Sequence, residues 1–552
     1  MPAVILAGRK SAKDRGKKYL NKLIITRINR GGNYLRKKHH ILGLLLTLVL
    51  YVASWSGVAL AEKMPNIVAV DILTTNDFHG ALVEAGRNPG AGKFAALLRT
   101  ERAKNPYGSV FISAGDMFQG SPDSNLLYGK TVVEVLNALS MDAMTLGNHE
   151  FDWGLERLAA RVAQSNFPYV SANVREKDGQ GRLNFVKPFV MLERLGVKIA
   201  VIGIVTPETA YTTGPKIVAP FEFRDPATVV REVLPRVRQQ GADIIVVLSH
   251  LAAYQDPTTG QVTGDAAVLA ETVPGIDAVV SGHSHKIVAG KVNGVPVVQA
   301  YYFGRALGKI SLVYSRREQK VLISSVQSIE TPLKAAVADR EVQAIVDRSQ
   351  AEIIPVKTVV LGRTVLDLSH DRYELSVLGE WSSDALRQLT GVDIAFQNGG
   401  GLRTSIPAGA ITMGNLYEVM PFDNTLVTMD LTGEQVLQVL NHGINGKAGT
   451  VQFSGLQVRI DSSRPYGNQL VEVRLSDGKL LDPAGTYKIV TNDFMASGGD
   501  EFSVLKAGHN MKDTFIPLRD ALADAVKKAG TLNIKKDERL KDLRGALLKP
   551  AA

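Results

Sequence analysis

At 552 residues, 45% apolar and 21% charged, the chain is too long for one ordinary core and too apolar to stay unfolded, which points to two folded domains. The net charge of +10 does not mark a nucleic-acid binder: residues 1–40 hold 12 Lys/Arg against one acid, Asp14, and the chain beyond residue 61 carries 52 bases against 53 acids. The chain has no cysteine, which excludes disulfides and thiolate metal ligands.

Arg36, Lys37 and Lys38 precede the uncharged run ILGLLLTLVLYVASWSGVALA, which ends in Ala59-Leu60-Ala61 before Glu62. That is the pattern of a cleaved export signal. A run of about 20 apolar residues is also long enough to anchor in a bilayer; Ser54, Ser56 and Gly57 weaken its second half and favour cleavage. The expected destination is outside the cytoplasm: periplasmic, cell-surface or secreted, with membrane contact only through an uncleaved leader.

From Asn66 to about Glu330 the runs IVAVDIL, SVFISAG, KIAVIGIV, DIIVVLSHL, DAVVSGH and VPVVQAYY alternate with amphipathic segments. Most are rich in β-formers and end in small, polar or histidine residues, as strands do when their carboxyl ends carry a site. Thr331-Pro332 marks a break. Val342, Ile345, Val346, Ile353 and Ile354 then recur at helical spacing over Asp339–Ile354, which predicts a linker helix. A second mixed α/β region follows. The expected organisation is a leader over 1–61, a catalytic domain over 66–330, a linker helix over 331–356 and a second domain over 357–545.

Polar residues gather at the ends of the apolar runs. DILTTNDFHG carries Asp77 and His79, two apart and so on one side of an extended segment. SAGDMFQGS carries Asp116, TLGNHEFDWG carries Asn148, His149, Glu150 and Asp152, VVLSHL carries His250, and SGHSH carries His283 and His285. Each alone is as well explained by a turn, a cap or packing. Together they are oxygen and nitrogen donors enough for two divalent ions, with Mn, Zn, Co and Fe all open. Buried without a cation, such groups would cost about 1–3 kcal/mol each in unmet hydrogen bonding.

Three later stretches share a loop character. DIAFQNGGGLR sets Asn398 and Arg403 around three glycines, YEVMPFDNTLV sets Phe422 and Asn424 beside a proline, and TNDFMASGGDEF sets Phe494 six residues before Asp500. Core packing explains either phenylalanine singly. Two rings from separate loops can also sandwich a nucleobase.

The order D-x-H, G-D, G-N-H-E, strand-end H and G-H-x-H resembles the calcineurin-type metallophosphoesterase superfamily. With the later loops it resembles the bacterial 5′-nucleotidase family over nearly all of residues 66–545. The resemblance implies an α/β protein: a metallophosphoesterase β-sandwich flanked by helices, joined by the linker helix to a smaller mixed α/β nucleotide-binding domain. It implies that Asp77, His79 and His285 hold one metal, that Asn148, His250 and His283 hold the other, and that Asp116 bridges them. It implies that His149 is no ligand but faces the substrate phosphate, with Asp152 orienting its ring as a catalytic dyad and Glu150 supporting the loop. In the second half it implies that Phe422 and Phe494 stack on the base, Asn424 contacts it, Asp500 holds the ribose hydroxyls, and Arg403, with Asn398 beside it, meets phosphate or ribose. Arg372 is a looser candidate, because this chain reads Val377-Leu378-Gly379-Glu380 where many members read N-L-G-N, and the extra carboxylate is expected to bear on how the phosphate side is read.

The expected function is an exported two-metal phosphohydrolase that takes phosphate from a nucleotide, a 5′-nucleotidase. The alternatives on the same chemistry are a 2′,3′-cyclic-nucleotide 2′-phosphodiesterase with 3′-nucleotidase activity and a UDP-sugar hydrolase. An extracellular nucleotide-binding protein without turnover is the non-enzyme alternative. No nucleic-acid partner is expected, and the oligomeric state stays open.

Overall fold

The computed structural model describes residues 65–334 and 336–544; the leader expected over 1–61 lies outside the described residues. From Ile67 onward the chain forms one compact unit. It is a mixed α/β protein.

Its first half is a sandwich of two sheets. The seven-stranded sheet runs in the order Lys320–Glu330, Ala306–Ser315, Ile67–Thr75, Ser109–Ser113, Ala143–Thr145, Tyr169–Val170 and Val186–Lys187. The six-stranded sheet runs Ile287–Val292, Val295–Ala300, Ala278–Val280, Ile244–His250, Val197–Val205 and Phe189–Arg194. Strand periodicity of two explains the layers. Val68, Val70 and Ile72 of one sheet and Ile199, Val201, Val246 and Leu248 of the other meet in the inter-sheet core. Alternate residues point outward: Ala200, Ile202, Ile204, Ile245 and Val247 pack under Val229, Val230, Val233 and Val237 of the helix Pro226–Gln239. On the other face Leu73, Phe111 and Met144 pack under the helices Gly90–Ala103 and Lys130–Ala138.

This layering positions the site. In the first sheet Ile67–Thr75, Ser109–Ser113 and Ala143–Thr145 are parallel neighbours. In the second, Val197–Val205, Ile244–His250 and Ala278–Val280 are parallel neighbours, with His250 beside Val205. Their carboxyl ends therefore open on one edge of the sandwich, and every D, N and H motif lies there. Asp77 comes two residues after its strand, Asp116, Asn148 and His283 three, and His250 is the last residue of its own.

A helix spans Arg340–Lys357, capped by the Asp339 side chain, which accepts from the Val342 N–H at 3.1 Å. Val342, Ile345, Val346 and Ile353 are buried, but Ile354, counted with the apolar stripe, is 48% exposed. In the second half a five-stranded sheet runs Gln452–Ser454, Ile394–Gln397, Thr486–Asn492, Thr425–Thr432 and His509–Pro517. One face packs on Leu378, Leu386, Leu522 and Val526 of the helices Val377–Thr390 and Leu518–Ala529, the other on Val436, Val439 and Leu440 of Gly433–Gly443. No helix among the described residues is long and apolar enough to cross a membrane.

Candidate active site

Two groups of potential ligands meet at the sandwich edge: Asp77, His79 and His285 in one, Asp116, His250 and His283 in the other, with the ligand atoms of each group within 4.8 Å of one another. In the first, Nε2 of His79 lies 3.0 Å from Nε2 of His285, which lies 3.3 Å from Oδ1 of Asp77. In the second, Nε2 of His250 lies 3.1 Å from Oδ2 of Asp116 and 3.2 Å from Oδ1 of Asn148.

The donor chemistry fits cations. Nδ1 of His79 is 2.8 Å from the Gln119 carbonyl and Nδ1 of His250 is 2.7 Å from that of Ala114. Those carbonyls take the ring N–H, so each Nε2 is left with a lone pair directed at other acceptors. Burial works against a charged ring at His250, yet Asp116 and Asp77 outweigh it and push its pKa up to about 10. The pocket asks for positive charge, as a proton or as a metal ion. At His79 burial and the neighbouring His285 of the same group push the other way, to about 3.

The backbone is bent to make this convergence. Asp77, His79, Asp116, His283 and His285 all have φ between 48° and 73°, a left-handed region that costs about 1–3 kcal/mol for a residue with a side chain. Neighbouring hydrogen bonds hold it. The Asp77 N–H donates to the Gly115 carbonyl and the His79 N–H to that of Asp116, each at 3.0 Å, while the His283 N–H donates to the Asp77 carboxylate at 3.0 Å. Glycine is required where the loops touch: a Cβ on Gly147 would stand 2.1 Å from Oδ1 of Asp116. Glu150 ties these loops together, its carboxylate accepting from the N–H groups of Asp116, Met117 and Gly147 at 2.7–2.8 Å.

His149 stands apart from both groups. Its Nδ1 lies 2.7 Å from Oδ2 of Asp152, and its N–H donates to Oδ1 of Asp116 at 2.9 Å. Burial disfavours the imidazolium, but Asp152 and Asp116 outweigh it and raise the pKa.

The second half closes over this edge and leaves a cavity of about 570 Å³, lined by Asp116, Asn148, His149, Asp152, His283 and His285 from one side and by Arg372, Asn398, Arg403, Phe422, Asn424, Phe494 and Asp500 from the other. The Asn398 amide donates to Asp500 at 2.7 Å. Arg372 is steadied by the Ala448 carbonyl, to which its Nε donates at 3.0 Å. Burial and the like charge of Arg372 draw Arg403 down to about 10. Glu380, expected to bear on the phosphate side, points elsewhere: its carboxylate accepts from the N–H of the exposed Asp537 at 3.0 Å. The helix Val377–Thr390 buries that position, and none of Val377, Leu378, Gly379 and Glu380 lines the cavity.

Sequence reasoning missed several neighbours. Glu208 meets Nε2 of His283 at 2.8 Å, and the Thr213 hydroxyl donates to the Asn148 carbonyl at 2.8 Å. Tyr302 stacks on His285 with ring centres 5.1 Å apart. His442 holds the turn of Asp500 by a 2.8 Å bond from Nε2 to its carbonyl. Glu208 had a signal, since Thr206-Pro207-Glu208 follows the strand KIAVIGIV as the other motifs follow theirs. The others had none, being brought in from separate elements.

Residues 70–287 match the calcineurin-like phosphoesterase family and residues 354–507 the 5′-nucleotidase C-terminal domain. Protein UshA of Yersinia enterocolitica is 30% identical over 82% of this chain and 90% of its own length. Endonuclease YhcR of Bacillus subtilis is 29% identical over 78% of this chain, which spans 37% of that protein's length. Among solved structures, a 5′-nucleotidase precursor from Thermus thermophilus superposes with a TM-score of 0.75 at 30% identity, covering 86% of this chain and 99% of the other. With both family domains in order along a shared fold, the chain belongs to the 5′-nucleotidase family of metal-dependent phosphoester hydrolases.

Proposed function

We propose that the protein is an exported 5′-nucleotidase that uses two divalent ions, holds the nucleoside with residues 357–545 and presents the phosphate to residues 66–330. The residues fit two ions: Asp77, His79 and His285 for one, Asn148, His250 and His283 for the other, with Asp116 between. Such a pair supplies Lewis acidity to a phosphoryl group and acidifies the attacking water.

The chain's own residues supply the rest. Asp152 holds Nδ1 of His149, which leaves Nε2 to donate to the phosphate and to protonate the leaving ribose oxygen. Arg403 and Arg372 offset phosphate charge from the opposite wall. Phe422 and Phe494 sandwich the base, Asn424 contacts its edge, and Asp500, oriented by Asn398, accepts from the ribose hydroxyls. The observation that carries the reading is the shared cavity, in which the nucleoside wall faces the His149 loop. The helix over 340–357 then serves as the connector about which the two halves open and close.

Export rests on the leader: three basic residues, an apolar run and Ala59-Leu60-Ala61. Asn148→Ala and His250→Ala test the metal assignment. Each is expected to lower Mn²⁺-dependent phosphate release from 5′-AMP by about 100-fold or more, since losing a ligand costs at least as much as losing a partner that merely orients one; full activity in either would sink it.

A further inference from the structure

His283 differs from His79 and His250 in what holds its second nitrogen. His79 and His250 each give Nδ1–H to a backbone carbonyl. At His283, Nε2 lies 2.8 Å from a carboxylate oxygen of Glu208. We propose that Glu208 is a positioning residue for His283. By accepting from the Nε2–H it fixes the tautomer, leaves Nδ1 as the donor for the ion, and makes that donor more basic. This rests on the two-metal reading above and adds a residue to it.

The local structure suits the task. Glu208 follows the strand Val197–Val205, whose last residue lies beside His250 in register. Its N–H donates to the Thr206 hydroxyl at 3.3 Å, and its carbonyl accepts from the N–H and the hydroxyl of Thr212 at 2.9 Å each, so its backbone is pinned on both sides. The same segment reaches a second ligand, because the Thr213 hydroxyl holds the Asn148 carbonyl. One loop therefore holds two of the four residues assigned to this ion, His283 by its ring and Asn148 by its backbone. The short helix Thr209–Thr212 also packs against Gly499–Glu501, the turn that carries Asp500. Glu208 thus sits where the metal group meets the ribose wall. Its side chain is 43% exposed, so replacing it leaves the core intact.

The test is Mn²⁺ titration by calorimetry of the chelator-stripped full chain, comparing wild type, Glu208→Gln, Glu208→Ala and His283→Ala. Wild type is expected to bind two ions. Glu208→Gln and Glu208→Ala should weaken one of them about 10–100-fold and leave the other unchanged, and His283→Ala should weaken the same one. At limiting Mn²⁺ the kcat of the two Glu208 variants should fall with KM for 5′-AMP unchanged, and saturating Mn²⁺ should restore it. Equal affinities for both ions in wild type and both Glu208 variants, with His283→Ala still impaired, would overturn the role of Glu208 and leave the two-metal reading standing. A wild type that binds fewer than two ions, or a His283→Ala variant that binds as wild type does, would overturn that reading and the role of Glu208 with it.

Discussion

The ring of Phe422 lies 5.9 Å from that of His149, inclined by 30°. One belongs to a loop of the second half and the other to the G-N-H-E turn of the first. The candidate base platform is thereby set against the candidate general acid, and this proximity separates recognition from chemistry in testable ways.

Phe422→Ala removes a stacking face worth about 1–3 kcal/mol per base. KM for 5′-AMP should rise about 5–150-fold while hydrolysis of p-nitrophenyl phosphate, which has no base, changes little. An equal loss on both substrates would contradict the division of labour.

Asp152→Asn leaves the size of the side chain but removes the charge that holds His149. With Nδ1 no longer facing a carboxylate, kcat for 5′-AMP should drop about 10²–10⁴-fold at unchanged Mn²⁺ stoichiometry. Loss of bound metal instead would place Asp152 in a structural role.

Removal of divalent ions leaves the buried carboxylates of Asp77 and Asp116 without the cations that would offset their charge. Chelation should abolish turnover and lower Tm by several degrees, since an ion at 100 times its Kd stabilises by about 2.7 kcal/mol. Mn²⁺ should restore both. A Tm indifferent to chelator would count against occupied sites in the folded protein.

Glu380 predicts a pH effect remote from the cavity. Burial pushes its carboxyl from an ordinary 4.5 up to about 7, and its Oε1 is buried without a partner. The folded state therefore keeps a proton that the unfolded state releases, so the folding penalty grows as pH climbs from about 4.5 to 7 and is full above that. Glu380→Gln should be more stable than wild type at pH 8 by about 1–2 kcal/mol, allowing for partial solvent screening, and the two should converge near pH 4.5. A gap independent of pH would rule this out.

The α/β class and its strand-end logic were legible because most apolar runs end in or just before a residue of the site, as VVLSH ends in His250. Strand periodicity and a following turn are local signals, so the sequence alone places Asp77, Asp116 and His283 at strand ends. What joins distant elements was not legible. Tyr302 reaches His285 because Tyr301 and Phe303 adopt left-handed φ, and nothing in YYFGR announces that. Glu380 looked like a cavity residue by its neighbours in sequence, but the pitch of Val377–Thr390 turns it toward Asp537. Arg372 reaches the cavity although its segment departs from the family pattern, because the Ala448 carbonyl fixes it there.

The most direct measurement compares two substrates in one Mn²⁺-loaded preparation: phosphate release from 5′-AMP against ring opening of 2′,3′-cyclic AMP. A 5′-nucleotidase seated as proposed should turn over 5′-AMP with the higher kcat/KM, and both activities should vanish with chelator. Preference for the cyclic diester would contradict the seating of the nucleotide, and turnover indifferent to metal would contradict the mechanism itself.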